Sequence, residues 1–196
     1  MAVSDLFNLK KQLVQYGSYH NNKANVAIHM IFVPTILWTV MVFFAKSGQV
    51  LAVPASAKWL KAVGPNAAFL ATATITSYYA ILDPIAAALY SPVLYGMLYT
   101  ATQFQRTNPN ANKIALAIHA ISWIFQFLGH GVAEKRKPRL MDNFMQAMVS
   151  APYFVWFELL FSLGYRPKLY KTVMSEVEQN VAAFRAEEAA KKSKSS

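Results

Sequence analysis

Apolar residues in this chain come in long, nearly unbroken runs, not in the alternation of a half-buried strand. The first run, VAIHMIFVPTILWTVMVFF, extends from Val26 to Phe44. As a helix it reaches about 28 Å, close to the depth of a bilayer's hydrocarbon. Pro34 lies inside it, which membrane helices tolerate. The next run, Ala67 to Thr102, is broken at Asp83-Pro84. A residue before proline is pushed out of the α region, so this dipeptide predicts a turn between two helices, each near the lower length limit for a span. A fourth span is expected from about Lys113 to Leu128, with Trp123 inside it. The segment APYFVWFELLFSL, Ala151 to Leu163, is apolar but short and carries Glu158, which predicts an interfacial or re-entrant helix.

Outside these runs the pattern is amphipathic. Leu6, Leu9, Leu13 and Tyr16 fall at helical spacing, which predicts a short helix lying in the membrane interface. From Tyr165 onward a soluble amphipathic helix is expected, ending in a disordered KKSKSS. The fold expected is all-α: a polytopic membrane helical bundle of about four transmembrane helices plus interfacial helices. It forms a single domain, with an interfacial segment over 1–24, the bundle over 25–164 and a cytoplasmic tail over 165–196.

Composition agrees. Of 196 residues, 55% are hydrophobic and only 14% charged, where soluble domains carry about 25% charged residues. There is no cysteine, which removes disulfides, thiolate metal sites and cysteine nucleophiles together. The net charge of +10 fits basic loops beside membrane spans better than nucleic-acid binding. Lys135, Arg136, Lys137 and Arg139 form the densest basic loop and are expected on the cytoplasmic side. Four spans then return both termini to that side. Lys46, Lys58 and Lys61, between the first two spans, run against this orientation.

The candidate chemistry lies in four histidines. On this topology His20 precedes the first span, His29 lies in its first turn and His130 closes the fourth. Three imidazoles from separate segments thus share one membrane level, as a metal site requires. His130 and Glu134 are four apart, as are Asn25 and His29, so each pair shares a helical face. Two histidines with a carboxylate is a ligand set of non-haem iron(II) oxygenases. The competing interpretation is that interfacial histidines only anchor helices through hydrogen bonds. Glu134 also suits a solvated ion-pair cluster with its lysine and arginine neighbours. His119, eleven residues before His130, stands about 16 Å from it along a helix, and is expected to pair within the core. Asp83 reads as turn chemistry. No G-x-S-x-G elbow, P-loop or G-x-G-x-x-G occurs.

Two segments resemble a known family. HNNKANVAIHMIFVPTIL (20–37) and WIFQFLGHGVAEKRKPRLMDNFMQAMVSAPYFVWFELLF (123–161) are similar to the fungal 2-hydroxy fatty acid dioxygenases of the endoplasmic reticulum. That family acts in phytosphingosine breakdown; QFLGHGVAEKRKP is the most specific stretch, and the resemblance covers nearly the whole chain. It implies an iron(II)-dependent dioxygenase that uses dioxygen to shorten a 2-hydroxy fatty acid by one carbon. It also implies a metal site of His20, His29, His130 and Glu134. An α-hydroxy carboxylate suits such a site because its hydroxyl and one carboxylate oxygen form a chelating pair. Arg136 and Arg139 are expected to anchor the carboxylate, and the acyl tail to lie among the apolar helices. Lys192 and Lys194 resemble the dilysine retrieval signal of endoplasmic-reticulum membrane proteins. The alternatives are a non-catalytic lipid-binding or scaffold protein and a zinc-dependent lipid hydrolase.

Overall fold

A computed structural model describes residues 3–57, 60–134 and 144–194. Every regular element among them is helical: α1 (Val3–Leu6), α2 (Leu9–Gly17), α3 (Lys23–Ala45), α4 (Leu60–Val63), α5 (Ala67–Leu82), α6 (Pro84–Thr107), α7 (Ala111–Leu128), α8 (Phe144–Ser162) and α9 (Pro167–Lys194), with a single 3-10 turn at Ala55–Ala57 and a π-helical turn at Gly129–Glu134. They pack as two compact units, Ile28–Phe127 and Met1–Ala27 with Leu128–Ser196.

In the central unit, α5 and α6 form an antiparallel hairpin. Its corner is the expected Asp83-Pro84. The buried Asp83 side chain accepts from Ile85 N at 3.2 Å and Ala86 N at 3.1 Å, and Pro84 opens α6, where its missing N–H costs nothing. Tyr79 and Tyr90 stack across the hairpin with centroids 6.2 Å apart. At its other end Asn66 caps α5 by accepting from Phe69 N at 3.0 Å, and its amide donates to Thr102 at 3.1 Å. The α3 segment of this unit reaches α6 through the Trp38 indole N–H on Thr100, 3.1 Å, and α7 through the stacked rings of Phe32 and Phe125, 4.5 Å.

The other unit joins the chain's ends. The apolar face of α2 (Leu13, Val14 and Tyr16, all buried) meets α9 through Val173, Val177 and Val181. Lys10 and Glu176 close the rim with a 2.7 Å ion pair. The two helices approach closely at Gly17, where a Cβ would stand 2.9 Å from Val177 Cγ2. The helix α8 buries Tyr153, Phe154, Val155, Phe157 and Leu160, and Phe154 stacks on Tyr16 of α2.

Two helical runs among the described residues are long and apolar enough to cross a membrane, Lys23–Ala45 and Ala111–Glu134. They coincide with the expected first and fourth spans. The expected second and third fall on α5, which is only 16 residues long, and on α6, whose polar residues cluster toward its Arg106 end. Contrary to expectation, the lysine-rich tail is helical as far as Lys194. Lys58, Lys135, Arg136, Lys137, Arg139 and Asp142 lie outside the described residues.

Candidate metal centre

His20 follows the end of α2, His29 sits in the second turn of α3, and His130 belongs to the π-helical turn. All three are buried, at 7%, 6% and 5% exposure. Each offers one ring nitrogen such that the three atoms lie within 4.8 Å of one another. Nitrogens bound to one ion at about 2.1 Å stand no more than about 4.2 Å apart. Small side-chain rotations therefore bring all three within reach of a single ion.

The surroundings of His20 fix which nitrogen it offers. Its Nδ1 lies 3.0 Å from the Tyr16 carbonyl oxygen, which can only accept, so Nδ1 carries the proton and Nε2 keeps the lone pair. A backbone carbonyl behind a ligating imidazole is a common way of setting tautomer and basicity. The ring is also held flat. Tyr16 stacks on it at 3.7 Å, and Phe154 stacks on the far face of Tyr16 at 4.1 Å. His130 meets His20 edge-on at 4.8 Å. Behind this wall, burial pushes the Glu158 carboxyl above its ordinary value; burial, and secondarily Glu158 itself, raises the Tyr16 phenol.

Three buried imidazoles, which ligate in their neutral form, suit iron, zinc or copper and leave further coordination positions open. The donor set therefore fits a metal. Glu134, expected beside the histidines, is engaged otherwise: its Oε1 accepts from Asn22 N at 2.6 Å and from Asn25 Nδ2 at 3.3 Å. Arg136 and Arg139 are not among the described residues.

His119 is apart from this group and has both ring nitrogens engaged. Trp123 Nε1–H donates to its Nε2 at 2.9 Å, so Nδ1 carries the proton and donates to Thr39 Oγ1 at 2.7 Å. The Thr39 hydroxyl then donates to the Ile36 carbonyl at 2.7 Å. No other hydrogen arrangement satisfies all three contacts with a neutral imidazole, so His119 pairs within the core as expected.

Residues 6–163 match the family model described as 2-hydroxy-palmitic acid dioxygenase Mpo1-like. The chain belongs to the Mpo1-like family. It is 38% identical over 175 residues to the 2-hydroxy-palmitic acid dioxygenase MPO1 of Saccharomyces cerevisiae, covering 88% of this chain and 91% of that protein. No solved structure matches the chain. The Mpo1-like match spans all three clustered histidines, and the resemblance seen in the two histidine-bearing segments holds over most of the chain.

Two contributors to this site escaped the sequence reasoning. Tyr16 was assigned only to an apolar stripe, and nothing in spacing signals that its carbonyl and ring both support His20. Asn22 was not singled out. The N-terminal polar stretch HNNKAN carried the only hint, since so many side-chain amides beside an apolar run suit a helix cap.

Proposed function

We propose that this chain is an iron(II)-dependent dioxygenase of the endoplasmic-reticulum membrane that shortens 2-hydroxy fatty acids by one carbon in sphingolipid breakdown. The observation that carries this reading is the convergence of His20, His29 and His130 in a buried cluster of a chain so similar to a 2-hydroxy-palmitic acid dioxygenase. Shortening to the next lower acid balances without an added reductant. A 2-hydroxy acid, RCH(OH)COOH, and dioxygen give RCOOH, carbon dioxide and water.

His20, His29 and His130 would hold the metal. Bound there, iron(II) supplies the redox chemistry that lets triplet dioxygen react with a closed-shell acid. The protein's own residues do the rest. Tyr16 fixes the His20 tautomer through its carbonyl and, with Phe154, walls the site from water. Arg136 and Arg139 offer guanidinium forks suited to a carboxylate, and the acyl tail lies along the apolar helices. Helices α3, α5, α6 and α7 serve as four spans, with both termini cytoplasmic and α8 interfacial.

The test is metal analysis and oxygen uptake on the full chain purified without chelator. Iron is expected, with oxygen consumed on 2-hydroxypalmitate, no 2-oxo acid needed and palmitate left unreacted. Equal turnover of palmitate overturns the reading. Zinc with ester or amide cleavage would make it a hydrolase, and absence of any metal a scaffold.

A further inference from the structure

Glu134 sits where two stretches of chain meet. Asn22 caps α3: its carbonyl accepts from Val26 N at 2.9 Å and its side-chain oxygen from Ala24 N at 2.9 Å. In a capping box, an acidic side chain at the third helical position reaches back to accept the cap residue's own N–H. Here that third position is Asn25, which has no carboxylate. The acceptor comes instead from Glu134, far along the chain, and Asn25 Nδ2 donates to the same oxygen. Asn22 Nδ2 returns a bond to the Ala133 carbonyl at 3.1 Å.

This arrangement ties together the backbone that carries the metal cluster. Asn22 lies two residues after His20, Asn25 one turn before His29, and Glu134 four residues after His130. A carboxylate at this end of α3 is also favoured by the helix dipole. We propose that Glu134 is a positioning residue: with Asn22 and Asn25 it completes a capping box in trans and sets the spacing of the three histidines, and it is not itself a metal ligand. The inference rests on reading the histidine cluster as a metal centre.

The experiment compares E134A, E134Q, N25A and N25A/E134A as full-length protein in detergent. Iron(II) affinity is measured by competition with a chromogenic chelator, and ligand geometry by the visible spectrum of the cobalt(II)-loaded protein. Loss of such outer partners weakens metal binding or activity by about 10–100-fold, which is expected for E134A. E134Q keeps an acceptor oxygen and is expected within about threefold of the wild type, reflecting only the exchange of a charge-assisted bond for a neutral one. Its cobalt spectrum should be unchanged. N25A/E134A should be no worse than E134A, because the two residues act through one contact.

The proposal is overturned if E134Q loses metal and alters the cobalt spectrum as H130A does, since the carboxylate would then be a ligand. Wild-type affinity in E134A overturns it as well, as does full additivity of the two single changes. A wild-type protein that binds no metal at all removes the metal centre and this role together, whereas binding that no Glu134 variant disturbs removes this role alone.

Discussion

His119 and the cluster of His20, His29 and His130 show the same side chain in two different employments. Around His119 both ring nitrogens are consumed by protein partners, a tryptophan N–H on one side and a threonine hydroxyl on the other. Around the cluster, His20 gives one nitrogen to a backbone carbonyl, and a ring nitrogen of each of the three histidines lies within 4.8 Å of the others. Burial differs as well, since the three clustered histidines are buried and His119 is only half-buried, on a helix apolar enough to span a membrane. What separates them further is whether ring nitrogens of several histidines lie close together. An imidazole held between a tryptophan N–H and a threonine hydroxyl is a strut, whereas one held by a backbone carbonyl within reach of two other imidazoles is placed to act as a ligand.

The sharpest way to break this contrast is to truncate each histidine in turn. His20→Ala, His29→Ala and His130→Ala should each lower 2-hydroxy acid turnover by more than the roughly 10–100-fold that follows loss of a ligand's outer partner, while the protein still inserts in membranes. Iron content should fall in parallel. Near-normal activity and iron in any two of them would dissolve the cluster as a centre.

His119→Leu should behave in the opposite way. It leaves the Trp123 N–H without its acceptor and the Thr39 hydroxyl oxygen without its donor, so a stability loss of about 1–3 kcal/mol is expected, read as a lower thermal midpoint in detergent. Bound iron should stay at the wild-type level. In histidine-labelled protein, nitrogen NMR should find His119 as the Nδ1–H tautomer whether or not zinc is added, while the other three signals move on zinc addition. A His119 signal that responds to zinc as strongly as His29 would erase the distinction.

The sequence made some of this legible and hid the rest. Convergence of His20, His29 and His130 was expected from a count of four spans; the three do cluster, while two helical runs among the described residues are long and apolar enough to cross a membrane. The Asp83-Pro84 corner was equally plain, because that dipeptide leaves the chain few conformations. Glu134 was placed by α-helical spacing from His130, but Gly129–Glu134 is a π-helical turn, whose wider winding changes where each side chain points. No periodicity argument signals a π turn. The bond from Glu134 to Asn22 joins segments more than a hundred residues apart, and single-sequence spacing carries no information across such a distance. The length of α9 was underestimated because a lysine-rich end reads as solvated coil, yet lysines in a last turn complement the helix dipole.

The smallest expected effect tests whether support for the cluster reaches as far as the α2–α9 contact. Gly17 is three residues before His20, and its missing Cβ is what lets α2 approach Val177 of α9. Gly17→Ala places a carbon 2.9 Å from Val177 Cγ2, closer than such contacts occur, so α2 or the valine must shift by a few tenths of an ångström. Overpacking of this kind costs about 1 kcal/mol or slightly more, partly offset by alanine's better helix propensity. The cost should appear as a modest drop in thermal midpoint with a slight weakening of iron binding, because the moved helix end carries the Tyr16 carbonyl that orients His20. The His119 nitrogen signals should not change. Combining it with Val177→Ala removes the offending methyls, so the two changes together should destabilise by less than the sum of each alone. Strict additivity would mean that α2 and α9 do not press on each other at Gly17, and that His20 is held from within its own segment.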